Sequence, residues 1–149
     1  MVCFLKTAKS VTMEDMKSVE KRLRITIPED LKALYFKANG GKVVENCFEK
    51  DGRKYHIHDM LPMLYGDGDG VEETYEDLVL DNDLFPDDIM PFAADAFGDY
   101  FVYSLQNGSM GAILFTESDY NEDGSLHIVK LADSLEEFLS SLKKDDADD

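Results

Sequence analysis

Four side chains able to bind a transition metal lie close together in the chain: Glu45, Cys47, His56 and His58. The segments that carry them, VVENCFEK and RKYHIHDM, flank Asp51-Gly52, a two-residue signal that predicts a β-hairpin. Pairing Lys50 with Arg53 sets Phe48 opposite Tyr55, Cys47 opposite His56 and Glu45 opposite His58. Residues i and i+2 of a strand share a face, so a thiol, two imidazoles and a carboxylate would converge within reach of zinc. A one-residue slip in register would scatter them. The preferred expectation is plainer: an ordinary solvent face, with Phe48, Tyr55 and Ile57 turned to the core and no metal or cofactor bound.

Two acidic runs invite a calcium reading. Asp119-x-Asn121-x-Asp123-Gly124 begins like an EF-hand loop, yet Lys130 stands at the twelfth position, where a bidentate Glu is needed. Its flanks are strand-like, which predicts a hairpin turn. Asp67-Gly68-Asp69-Gly70 is equally incomplete, since Gly70 at the sixth position leaves Tyr65 at the first. For catalysis the chain offers no nucleophile elbow, no phosphate loop and no Cys-His motif of known context. Its carboxylates are too many for any pair to be singled out as acid and base. His127, on the last predicted strand, reads as packing or surface. Enzymatic activity is not expected.

The elements that must position these groups are legible from punctuation and period. Thr12-Met13-Glu14-Asp15 resembles a capping box, and Met13, Met16, Val19 or Glu20, and Leu23 mark a helix. Ile25-Thr26-Ile27 is extended before Pro28, which suits a first helical position. Glu29 and Asp30 favour the helix dipole, Leu31, Leu34, Tyr35 and Ala38 form one apolar face, and Asn39-Gly40-Gly41 closes the helix with a sharp turn. After the first hairpin come a loop, LPMLYGDGDG, and a short helix around Glu73–Leu80. FPDDIMPFAADAFGD reads as irregular. FVYSL and MGAILFT form a second hairpin around Asn107-Gly108, and LHIVKLA is the last strand. Ser134-Leu135-Glu136-Glu137 is a full capping box for a closing helix whose inner face holds Leu135, Phe138, Leu139 and Leu142. The order predicts one α+β domain over residues 1–143, a mostly antiparallel or mixed sheet flanked by two N-terminal helices and one C-terminal helix. Residues 144–149 are expected to be a disordered acidic tail.

Bulk composition excludes several classes. The 149 residues include 9 Phe and 7 Tyr, enough for a real core, and no apolar run approaches a bilayer span. MVCFLKTAKS lacks a signal-peptide core, so a cytoplasmic protein is expected, with Cys3 and Cys47 as reduced thiols. The net charge of −17 is segregated. Residues 1–44 carry nine Lys or Arg against five Asp or Glu, whereas residues 45–149 carry six against 27. Between Tyr55 and Val129 there are 17 carboxylates and no Lys or Arg. Such a field repels nucleic acid and anionic membranes and favours encounters with basic proteins.

Ile27-Pro28-Glu29-Asp30-Leu31 with Asn39-Gly40-Gly41 resembles the N-terminal signature of the SUKH superfamily, which includes the yeast cell-wall synthesis regulator and many bacterial toxin-immunity proteins. The likeness continues through Pro91-Phe92-Ala93 and Phe97-Gly98-Asp99-Tyr100-Phe101. It runs on to Gly111, Ile113 and Phe115, and to Ala132-Asp133-Ser134-Leu135-Glu136-Glu137-Phe138-Leu139. The resemblance implies a sheet flanked by helices and a binding module without catalytic residues. The chain has no Trp, so no aromatic contact residue is carried over from relatives that have one. Resemblance and charge together give the expected function: an immunity protein that binds and neutralises a basic toxin, such as a nuclease. The alternative is a regulatory interaction module unrelated to toxins. The expected contacts are Asp67, Asp69, Glu72, Glu73 and Glu76 in one patch, and Asp119, Glu122 and Asp123 in a second.

Overall fold

Thr12 opens the first helix as its residue type predicts. Its hydroxyl accepts from the Asp15 N–H at 3.1 Å, and the Asp15 carboxylate accepts from the Thr12 N–H at 2.9 Å. The computed structural model describes residues 2–66, 70–81, 88–106, 108–120 and 126–145. Helix α1 (Met13–Leu23) buries Met16, Val19 and Leu23, while Met13, expected in that stripe, lies in the first turn and stays 52% exposed. Helix α2 (Glu29–Lys37) buries Leu31, Leu34 and Tyr35. Pro28 is its N-cap and not its first helical residue: φ is −62°, but a ψ of 152° is extended.

The end of α2 differs from expectation. The helix stops at Lys37, and Ala38 is already extended, so Asn39-Gly40-Gly41 does not cap it. The triplet is instead a hub for later chain. The Asn39 amide donates to the carbonyls of Lys9 and Met63 at 2.8 and 2.9 Å, and its carbonyl accepts from the Met63 N–H at 2.7 Å. Gly40, at φ +73°, leaves no room for a side chain, since a Cβ would stand 2.8 Å from the Pro62 backbone.

Strand β1 (Phe4–Leu5) pairs with β2 (Lys42–Val43), and β3 (Cys47–Lys50) pairs with β4 (Arg53–His56). A five-stranded antiparallel sheet follows in the order β5 (Asp59–Met60), β6 (Ile89–Ala94), β7 (Tyr100–Ser104), β8 (Ile113–Tyr120), β9 (Leu126–Ala132). Strand β6 lies in the segment expected to be irregular. Pro91 lacks an N–H for the ladder, and the register shifts between Pro91 and Ala93, an irregularity that accommodates the proline within an internal strand. Helix α3 (Val71–Tyr75) runs into a π-helical turn at Glu76–Asp81, beginning two residues before the expected helix.

Helix α4 (Leu135–Ser140) closes the fold. The Ser134 hydroxyl accepts from the Glu137 N–H at 3.0 Å, but the Glu137 carboxylate accepts from Asp133 at 3.1 Å, so the predicted box closes one residue early. Phe138 of α4 stacks on Phe48 at 5.0 Å and meets Phe101 at 5.7 Å; Phe115 meets Phe101 at 4.9 Å and Tyr55 at 5.1 Å. These rings fasten the β3–β4 hairpin and α4 to the sheet, giving the expected α+β architecture.

Candidate functional site

The two expected acidic patches meet different fates. Asp67 and Asp69 lie outside the described residues, as do Glu122, Asp123 and the side chain of Asp119. Glu72 is a correction: it is 1% exposed and cannot be a surface contact. Its Oε2 accepts from the Leu64 N–H at 2.9 Å and holds that residue at φ +64°, while Oε1 is buried without a hydrogen-bond partner among the described residues. Burial holds this carboxyl above its ordinary pKa. Glu73 and Glu76 are accessible but share a cation. Arg22 of α1 donates to both Glu76 oxygens at 3.0 and 2.6 Å, and Glu73 lies 3.7 Å from the same guanidinium. That fork holds Glu76 below the usual carboxylate range. Glu73 also accepts from the Gly70 N–H at 3.0 Å, capping α3.

A residue absent from the expected contacts stands out at one end of the sheet. Strands β6 to β9 alternate in direction, so the β6–β7 turn and the β8–β9 connection leave the same end. In that turn Asp95 Oδ1 accepts from the N–H groups of Phe97 and Asp99 at 2.8 and 2.9 Å, and the Asp95 N–H donates to the Asp99 carbonyl at 3.0 Å. Gly98 supplies the left-handed step at φ +89°. The result holds Phe97 88% exposed. Phe97 stands at a cleft of about 460 Å³ walled by Arg53, Lys54, Tyr55 and His56, with Asp95 and Asp99 on the near side. Its signal in the sequence was a large aromatic beside Gly-Asp between two apolar runs, where a polar turn residue would have sufficed.

The hairpin keeps its expected register, with Cys47 opposite His56 and Phe48 opposite Tyr55. Of the four candidate ligands, Cys47 and His56 stay together, whereas Glu45 and His58 turn elsewhere. Glu45 accepts from the Cys3 N–H at 2.9 Å, and His58 lies beyond β4, 3.6 Å from Asp59. Cys47 is fully buried and does not lie on a solvent face. Both of its backbone groups bond to Lys143, each at 2.9 Å, which seats the chain after α4 against β3. Asp145, expected in a disordered tail, is consequently 6% exposed; residues 146–149 lie outside those described. Its carboxylate meets His56 Nε2 at 2.5 Å and Lys54 Nζ at 3.3 Å. Burial, and then the Asp145 charge, push the Cys47 thiol up in pKa.

A family model described as the SMI1 / KNR4 family (SUKH-1) matches residues 10–141. The chain belongs to that family. No curated protein and no solved structure matches it. SUKH-1 membership fits an immunity or regulatory protein-binding role, and the family is generally non-catalytic. Among the described residues of this SUKH-1 chain, no helix is long and apolar enough to cross a membrane.

Proposed function

We propose that this SUKH-1 chain is a non-catalytic cytoplasmic immunity protein that seats on a basic toxin, a nuclease domain, and covers its active site. Phe97 carries the reading: an aromatic ring 88% exposed on a turn braced by Asp95, at the sheet end from which the acidic β8–β9 connection departs. An aromatic anchor inside a polar rim is the usual anatomy of an energetic centre in an interface. The contacts proposed to accompany it are Asp119, Glu122 and Asp123 in one acidic patch, and Asp67, Asp69, Glu73 and Glu76 in the other. Glu72 is not a contact; its carboxylate is spent on the Leu64 N–H. Carboxylates opposite a nuclease's phosphate-binding cations speed encounter and discourage nucleic acid or an anionic membrane as partner.

The test is to purify the native partner on this chain and assay that partner alone and with one equivalent added back. Loss of nuclease or other toxic activity at one equivalent is the expected result. A partner that has no toxic activity, or keeps it when bound, selects the regulatory reading.

A further inference from the structure

The hairpin and the chain after α4 bring three unlike ligand atoms together. Cys47 Sγ, an imidazole nitrogen of His56 and a carboxylate oxygen of Asp145 all lie within 4.8 Å of one another. The topology explains why. The N–H and C=O of Cys47 both point to Lys143, so Cys47 and His56 form a non-hydrogen-bonded cross-strand pair, the kind with the closer side chains. Lys143 lies on the other side of Cys47, and Asp145, two residues further along, returns to the face of Lys143. Three separate segments thus converge on one point.

We propose that Cys47, His56 and Asp145 form a binding site for zinc or a similar borderline divalent cation. A thiolate and an imidazole select such a cation over magnesium or calcium. Charge supports the assignment: one thiolate, one carboxylate and a neutral imidazole around a divalent ion sum to zero, the state a site with two buried ligands holds at least cost. Binding forms the metal–sulfur bond as the Cys47 thiol gives its proton to solvent. His56 supplies a lone pair, and no oxidant or reductant takes part. In the metal-free chain the Asp145 carboxylate contacts Lys54 and His56. On binding, the half-exposed Lys54 side chain swings to solvent and the carboxylate turns, opening the 2.5 Å contact with His56 to about 3.3 Å, the separation two ligands take around tetrahedral zinc. His56 is 40% exposed at its side chain, so the fourth position faces outward, where water completes the shell.

The test uses untagged full-length chain, reduced, stripped with chelator and titrated with cobalt(II). A thiolate-to-cobalt charge-transfer band and strong visible bands of tetrahedral cobalt should saturate at one equivalent and vanish when zinc is added. Cys47→Ser should abolish the charge-transfer band, and Asp145→Asn and His56→Gln should each weaken binding about tenfold or more. Cys3→Ser, Glu45→Ala and His58→Ala should leave the titration unchanged. Thermal melts identify any variant that fails to fold, and the half-buried His56 provides a ligand change that spares the buried thiol. No charge-transfer band at one equivalent, or a band that survives Cys47→Ser or needs Cys3, would overturn the site.

Discussion

At the scale of single residues, Glu72 and Gly40 show the same sequence letters serving ends other than the expected ones. Glu72 reads as one acid among many and is instead buried, with one oxygen unsatisfied among the described residues. Its raised pKa means that ionisation penalises the folded state more than the unfolded one. Its contribution is therefore most favourable below the unfolded value, about 4.3, and is lost as pH rises through the folded value. Glu72→Gln keeps an acceptor for the Leu64 N–H and removes the buried charge. The variant should melt about 2–4 °C higher at neutral pH, on the order of 1 kcal/mol, with the gain fading as pH falls to about 4. A melting point equal to or below that of the parent at neutral pH would mean that the 3.9 Å approach of Arg22 outweighs burial. Gly40→Ala should destabilise by about 2 kcal/mol or more, because strain at positive φ adds to the collision with Pro62. Gly52→Ala, also at positive φ but in open space, should lose only about 1 kcal/mol. Equal losses in chemical denaturation would remove Pro62 from the explanation.

At the scale of elements, legibility followed locality. The α1 box, the Asp51-Gly52 hairpin and its register were readable because each is decided within a few residues. Strand β6 was not, since Pro91 signals a break locally and only pairing with β5 and β7 overrides it. The partnership of Asp145 with His56 spans 89 residues and rests on a backbone bridge that no local pattern announces. Phe97 belongs to the Phe97-Gly98-Asp99-Tyr100-Phe101 motif, yet its exposure depends on the Asp95 turn. Packing of the chain after α4 has a chemical readout. Thiol titration should find one fast cysteine, exposed Cys3, and one slow, buried Cys47. Deleting residues 144–149 removes both cover and an opposing charge, so Cys47 should react about tenfold faster or more. Two equally fast thiols in the intact chain would show that this segment does not seat.

At the scale of the whole molecule, folding alone does not require the charge segregation, because a mixed surface would serve solubility equally well. An inhibitor of a basic enzyme gains from it in association rate, and Phe97 adds a different term. Electrostatic steering acts over distance and is screened by salt, whereas a buried ring acts after contact and governs dissociation. The two therefore separate kinetically. Association with the partner should slow steeply from low to physiological salt, with a smaller change in dissociation. Reversing charge at Asp67, Asp69, Glu122 and Asp123 together should slow association by about tenfold or more with little change in melting temperature. Glu72 and Glu73 stay unaltered in that variant, since one is buried and the other caps α3. Reversal at Asp146, Asp148 and Asp149 should matter much less. Phe97→Ala should leave association nearly unchanged and speed dissociation by roughly 30-fold, the equivalent of about 2 kcal/mol at an interface centre. Stability should hardly move, because a ring 88% exposed contributes little to the core. An association rate indifferent to salt and to the loop reversal would sink the electrostatic reading, and unchanged dissociation in Phe97→Ala would move the interface away from this end of the sheet.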